Sequence, residues 1–271
     1  MLKDITMGQY FPGNSVIHRL DPRTKIILTF SYMIMLFLTT NIFCYAFSAC
    51  LALGAYIVSG IQLKFIIKSL KPILPLILFT VIMNLLFVNG TALWSLWFIS
   101  ISYEGVTISI SMTVRLICLI AGTSLLTYTS SPIALTDAIE SFLNPLKKIK
   151  FPSHEISMMM TIALRFIPAL IEETQKITSA QKARGADMET GGLIKRTKAI
   201  IPILIPLFVS AFRRAEELAT AMECRCYNGG VGRTRLKQLQ YKRGDFIAML
   251  VIAVAISCVI IIATFLPMGT L

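Results

Sequence analysis

The sequence predicts an all-α integral membrane protein, with about five transmembrane helices plus amphipathic helices on the cytosolic side. Three observations carry that expectation. Of 271 residues, 55% are hydrophobic and only 15% charged, a balance far from that of a soluble domain. Residues 26–63 run for 38 positions without one Asp, Glu, Lys or Arg. The 26 Lys and Arg are segregated: four precede Ile26, three lie in 64–71, one is Arg115 and eighteen lie in 147–243. That asymmetry is the positive-inside signature. It also argues against nucleic acid as the target of the +12 net charge, which would need a basic face with interleaved aromatics.

One span needs about 20 residues, so 26–63 reads as two spans with a tight hairpin near Thr40 and Asn41. Lys64, Lys68 and Lys71 bring the chain back to the basic side. Residues 72–88 read as a third span, with Pro72 and Pro75 in its first turn, where a missing N–H costs least. Asn89 and Gly90 end it. The following loop holds Trp94 and Trp97, suited to an interfacial belt on the outer face.

Residues 106–128 read as the fourth span and 246–266 as the last. Arg115 sits inside the fourth, where facing lipid would cost roughly 2.5–3.5 kcal/mol. It is therefore expected to face the bundle or snorkel outward, and a polar contact to a neighbour and plain packing both stay open. The N-terminus then lies in the cytosol and the C-terminus outside. The expected division is 1–130 with four spans, 131–243 as a cytosolic helical region, and 244–271 as the last span. The first 25 residues are mixed and polar, so no cleavable signal peptide is expected there.

The cytosolic region opens with Ser131 and Pro132 before a short amphipathic helix over 133–143. Two long helices follow, and their apolar runs read as too short to span; 199–212 is 14 residues. In the first, Ile156, Met160, Ala163, Ile167, Leu170 and Ile177 recur at helical spacing, with Glu172 and Lys176 an i,i+4 pair. Pro168, Pro202 and Pro206 are expected to bend the helices. Met158, Met159 and Met160 form either a soft surface that repacks against partners or ordinary core.

Both long helices close on the same pattern: Ala, two residues, a small residue, Arg, a small residue. Ala180-Gln-Lys-Ala183-Arg184-Gly185 matches Ala221-Met-Glu-Cys224-Arg225-Cys226, with the arginines 41 positions apart. Small flanks let a guanidinium enter a groove, and its planar fork suits a carboxylate or free carbonyls. The plainer reading is a cation complementing a helix dipole, with Gly185 as the cap. Two copies at the ends of two parallel-reading helices favour a docking device.

Enzyme signatures are missing. There is no GxxxxGK[ST] loop and no G-x-S-x-G elbow, and His154-Glu155 lacks the second His of a zinc helix. The six cysteines suggest no disulfide framework: Cys44, Cys50, Cys118 and Cys258 lie in apolar runs, while Cys224 and Cys226 fall on the reducing side. No catalytic residues, cofactor, metal site or nucleic-acid partner are expected.

At these residues the chain resembles the transmembrane T-component of energy-coupling factor transporters. His18-Arg-Leu-Asp21-Pro22-Arg23-Thr-Lys25 resembles that family's N-terminal motif. Ala163-Leu-Arg165-Phe-Ile-Pro168 resembles its coupling-helix signature, and Ala183-Arg184-Gly185 its first Ala-Arg-Gly box. Glu223-Cys224-Arg225-Cys226-Tyr227 resembles the second box, with Cys in place of both Ala and Gly. The resemblance implies a non-enzymatic subunit in the plasma membrane, above two ATP-binding-cassette ATPases and beside a substrate-binding S-component. It implies Arg184 in one ATPase groove and Arg225 in the other. The apolar faces carrying Met158, Met159, Met160, Ile203 and Leu207 would hold the S-component. Whether that S-component carries a vitamin or a metal ion stays open. The rival readings are a secondary transporter, which would show midplane polar sites and repeated spans, and a membrane scaffold without ATPase partners.

Overall fold

The computed structural model describes residues 10–39, 41–62, 64–88, 90–96, 99–145, 152–185, 192–229 and 239–265. It is an all-α membrane protein with one small hairpin, divided into two compact units: Gly8–Ser131 with Leu239–Leu271, and Pro132–Gln238.

The first unit begins with α1 (Pro22–Leu38) and α2 (Ile42–Ser59), which replace the uncharged 26–63 run with two helices as expected. Asp21 caps α1 by accepting the Arg23 N–H at 2.9 Å, and Pro22 sits in the first turn, where its lack of an N–H costs nothing. Gly60 ends α2 at φ 71°, a left-handed cap. The expected single third span is instead broken into α3 (Lys64–Leu70) and α4 (Leu74–Phe87), bent by 63°. Pro72 explains the break: it has no N–H to continue α3, and its ring crowds the turn before it. Alone, the 14 residues of α4 rise about 21 Å against a hydrocarbon core of roughly 30 Å. Only the bent pair together is long and apolar enough for one span.

The next connection corrects a second expectation. Where a plain loop was read, β1 (Ala92–Leu96) and β2 (Ile99–Ser102) pair antiparallel, with Trp94 opposite Ile101 and Leu96 opposite Ile99. Trp94 thus lies on a strand; Trp97, like Asn89, lies outside the described residues. Helix α5 (Tyr103–Thr129) follows, capped by the Ser102 hydroxyl accepting the Gly105 N–H at 3.1 Å. The unit closes with α9 (Arg243–Phe265).

Its core is a seam between four helices: Tyr32, Met35 and Leu36 of α1, Cys44 and Ala52 of α2, Cys118 of α5, and Ile252, Ala255 and Val259 of α9. Gly122 is needed there, because a Cβ would stand 2.7 Å from the Tyr32 ring. Large apolar side chains point outward instead, among them Phe30, Phe37, Ile57, Phe246, Leu250 and Val254, the arrangement that lipid rewards and water penalises. Hydroxyls in these helices bond back to their own ladders, as Thr29 to Lys25, Ser48 to Cys44 and Ser109 to Gly105.

The second unit holds α6 (Pro132–Leu143), α7 (Ser153–Ala183) and α8 (Leu193–Cys224). His154 Nδ1 meets Glu140 Oε1 at 3.4 Å, joining α6 to the start of α7. Both long helices run unbroken through their prolines. One expectation about length fails. Helix α7 contains an 18-residue stretch apolar enough to cross a membrane, since Glu155 and Arg165 are the only acid and base in 153–171. Helices α2, α5 and α9 meet the same test, whereas α8 and the 17-residue α1, expected as the first span, are not among the four that do.

Candidate docking site

Two contacts set the relation between α7 and α8. Gln181 of α7 donates to the Pro202 carbonyl of α8 at 3.4 Å, and Arg214 of α8 pairs with Glu173 of α7. The first has a local cause: Pro206 has no N–H, so the Pro202 carbonyl lacks its helical donor, and a neighbour's amide supplies one. Contact positions on α8 rise as those on α7 fall, so the helices pack antiparallel.

The ion pair lies at a telling position. Glu173 and Arg214 are 41 positions apart, the same offset as Arg184 and Arg225. Equivalent residues of the repeat therefore meet there, and the two arms run off in opposite directions. Each terminal arginine lies 11 residues beyond its member of the pair. At 1.5 Å per residue that is about 16 Å each way, which sets the two tips at most about 33 Å apart.

The tips are built alike. Arg184 and Arg225 are both helix C-caps, near φ −82°, ψ 4° and φ −94°, ψ 15°. The next residue is left-handed in each case, Gly185 at φ 85° and Cys226 at φ 54°. At the second tip the Cys226 N–H bonds the Glu223 carbonyl at 2.9 Å and the Tyr227 N–H bonds the Met222 carbonyl at 3.0 Å, a complete Schellman cap. At the first, the Gly185 N–H bonds the Lys182 carbonyl at 3.0 Å, its counterpart. Each cap ends its helix at the arginine. Ala183, Arg184, Gly185, Cys224, Arg225 and Cys226 are all exposed, and neither guanidinium has a hydrogen bond or ion pair among the described residues. Both cysteines are free thiols.

The apolar faces are less as expected. Met159 is exposed while Met158 and Met160 are half-buried, and Arg165 is exposed beside half-buried Pro168. Ile203 is only 9% exposed and Leu207 half-buried, so they face inward. The free face of α8 instead carries Ile201, Leu204, Ile205, Phe208, Val209 and Phe212, with the Phe208 and Phe212 rings edge to face at 4.8 Å. The continuous apolar run in 199–212 hides which side is which, because nearly every position qualifies; only the Glu173–Arg214 register fixes the rotation of the helix.

The N-terminal motif lies in the other unit and has a structural job. Asp245, fully buried at the start of α9, accepts the Asp21 N–H at 2.8 Å and the Lys242 N–H at 2.7 Å. Lys25, also buried, donates to the carbonyls of Thr129 at 2.7 Å and His18 at 3.1 Å. The knot ties α1, α9 and the end of α5 together, and Arg23 lies over the Tyr241 ring at 5.7 Å. Asp245 was not singled out from the sequence; an acid in the first turn of an apolar helix is the signal that could have found it. Arg115 faces the bundle. It bonds Tyr45 Oη and the Thr39 carbonyl, between the Phe37 and Tyr45 rings.

Fold and site together define a multi-pass membrane protein that exposes two similarly capped arginines at its helix tips, with no catalytic constellation beside them among the described residues. A family model described as CbiQ, cobalt transport protein, matches residues 13–239, and the chain belongs to that family. It is 55% identical over 261 residues to the energy-coupling factor transporter transmembrane protein EcfT of Ruminiclostridium cellulolyticum, covering 96% of this chain and 98% of that one. The proteins of the same name from Thermosediminibacter oceani and Lactococcus lactis subsp. cremoris are 51% and 44% identical over 249 and 262 residues. Those alignments cover 92% and 96% of this chain, and 94% and 98% of the relatives.

Proposed function

We propose that the chain is the non-catalytic coupling subunit of an energy-coupling factor importer in the plasma membrane, with its N-terminus in the cytosol. Two ATP-binding-cassette ATPases bind the tips, one at Arg184 and one at Arg225, and hydrolysis takes place in those partners. A membrane-embedded S-component carrying a micronutrient, a vitamin or metal ion, packs on the free apolar faces, Met159 on α7 and Ile201, Leu204, Phe208 and Phe212 on α8. The names of the relatives support the assignment to such a transporter, and the segregation of Lys and Arg supports the orientation.

The observation that carries the reading is the pair of similarly built arginine caps, unpartnered among the described residues, at opposite ends of one antiparallel helix pair. Two copies of an ATPase need two equivalent sites, related by the same offset as the Glu173–Arg214 contact. A change in ATPase separation moves the tips, alters the crossing of α7 and α8 about that contact, and so reshapes the face that holds the S-component. Truncating a desolvated, charge-assisted contact costs on the order of 2–5 kcal/mol. The test is recovery of ATPase subunits with Arg184→Ala/Arg225→Ala protein, alongside substrate uptake in the same cells. Loss of both is expected, with Arg→Lys restoring only part, because Lys lacks the planar fork. Normal recovery with normal uptake would reduce the caps to helix punctuation.

A further inference from the structure

The membrane unit holds an apolar crevice that the docking reading does not use. It opens among α1, α2, α5 and α9, with a volume of about 500 Å³. The polar groups in its wall are already engaged. Tyr32 and Tyr56 donate to the carbonyls of Ser48 and Ala121, Thr29 and Thr129 to those of Lys25 and Leu125, and Lys25 to those of His18 and Thr129. An occupant therefore meets hydrocarbon. A water occupies about 30 Å³ of liquid and a methylene is of similar size, so the space suits a chain of roughly sixteen such groups.

Leu20 and Gly244, beside the first turns of α1 and α9, line the crevice next to each other. Four cations stand there: Arg19, Arg23, Lys242 and Arg243. Arg19, Lys242 and Arg243 are exposed, and none of the four forms an ion pair among the described residues. Arg23 is half-buried and its Nε has no hydrogen-bond partner. The two acids in the same place, Asp21 and Asp245, are buried and turned onto backbone N–H groups. An apolar slot thus meets unneutralised positive charge at the starts of two helices, α1 and α9, and basic pockets between membrane helices take lipid headgroups.

We propose that this crevice binds one anionic phospholipid, its acyl chain in the slot and its phosphate among Arg19, Lys242 and Arg243. Charge selects the occupant: a long hydrocarbon with an anionic group at one end matches both parts, and neither a neutral lipid nor an uncharged helix does. The proposal lies wholly within one unit and stands whether or not the tips dock ATPases.

The test is native mass spectrometry of the full chain, released from micelles containing equal phosphatidylglycerol and phosphatidylcholine. The wild type should retain one phosphatidylglycerol in preference to phosphatidylcholine. Gly54 lines the crevice and a Cβ there meets nothing within 4 Å, so Gly54→Phe fills the slot without a clash at its root and should abolish retention of either lipid. Arg19→Gln, Lys242→Gln and Arg243→Gln alter exposed side chains only, so the triple variant folds. Its preference should fall by about fivefold for each cation removed, while lipid is still retained. Equal retention of both lipids by the wild type, or an unchanged preference in the triple variant, would overturn the proposal. So would full phosphatidylglycerol retention by folded Gly54→Phe, or crosslinking of a partner helix at Gly54 with no lipid in the intact complex. Should Gly54→Phe misfold, the triple variant decides alone.

Discussion

The start of α1 and the tips of α7 and α8 use charged residues in opposite ways. Around α1, Asp21, Lys25 and Asp245 are buried and spend their bonds on the chain itself. At the tips, Arg184 and Arg225 spend none among the described residues. Both stretches belong to motifs that the family resemblance picks out together. The difference teaches that one motif charge can be buried in the fold's own bonds and another left exposed, and that burial and bonding separate the two. The first kind should unfold the protein when removed; the second should leave it folded and alone.

The largest effect on stability is therefore expected at Asp245. Asp245→Ala deletes two charge-assisted bonds and leaves the Asp21 and Lys242 N–H groups without an acceptor, a loss of about 3–5 kcal/mol. Asp245→Asn keeps one acceptor and should lose about half. Denaturant titration of the purified chain in micelles measures both, and a wild-type midpoint for Asp245→Ala would end the claim that the knot holds α1 to α9. Arg184→Ala and Arg225→Ala should each shift that midpoint by less than about 0.5 kcal/mol, as exposed substitutions do, even as ATPase recovery falls. If an arginine variant unfolds the chain, the two regions are not different in kind.

A subtler contrast concerns the middle of the helix pair. Glu173–Arg214 is partly exposed, so either single neutralisation should cost at most about 1 kcal/mol in stability. Its role as the crossing point predicts more for coupling than for folding. Glu173→Arg with Arg214→Glu should recover substrate uptake that either single reversal loses. Equal uptake by all four proteins would leave the contact as surface decoration.

Much of this was legible in the sequence. Helices α1, α2 and α9 followed from uncharged runs and α5 from a run broken only by Arg115, with α2, α5 and α9 apolar and long enough to span, and the caps at Arg184 and Arg225 followed from a repeated hexad. What stayed hidden depends on long-range register. The bend at Pro72 needed to be known as a break between α3 and α4 and not a first-turn proline, and both sites tolerate proline. The β1–β2 hairpin lay in a short apolar run, where period alone does not separate strand from loop. For α8 the apolar run named the helix but not its inner side, so Ile203 was assigned outward and lies inward. The antiparallel pairing rests on Glu173 meeting Arg214 and Gln181 meeting Pro202, and nothing local to these residues announces a partner.

The finest contrast compares the tips with each other. Both need a left-handed residue after the arginine, and glycine takes that conformation freely while a residue with a Cβ pays about 1–2 kcal/mol. The first tip has Gly185 at φ 85° with open space where a Cβ would stand, so Gly185→Ala should cost about 1 kcal/mol from backbone conformation alone. The second has Cys226 at φ 54° and already carries that strain. Cys226→Gly relieves it, but glycine also loosens the unfolded chain by roughly 0.4–1 kcal/mol, so the net gain should be a few tenths of a kcal/mol up to about 1. Thermal unfolding of the two variants in the same detergent checks the opposite signs. A Cys226→Gly protein that is less stable than wild type would mean that the thiol contributes something the left-handed cap does not require, and that the two tips, alike in backbone, are not equivalent in chemistry.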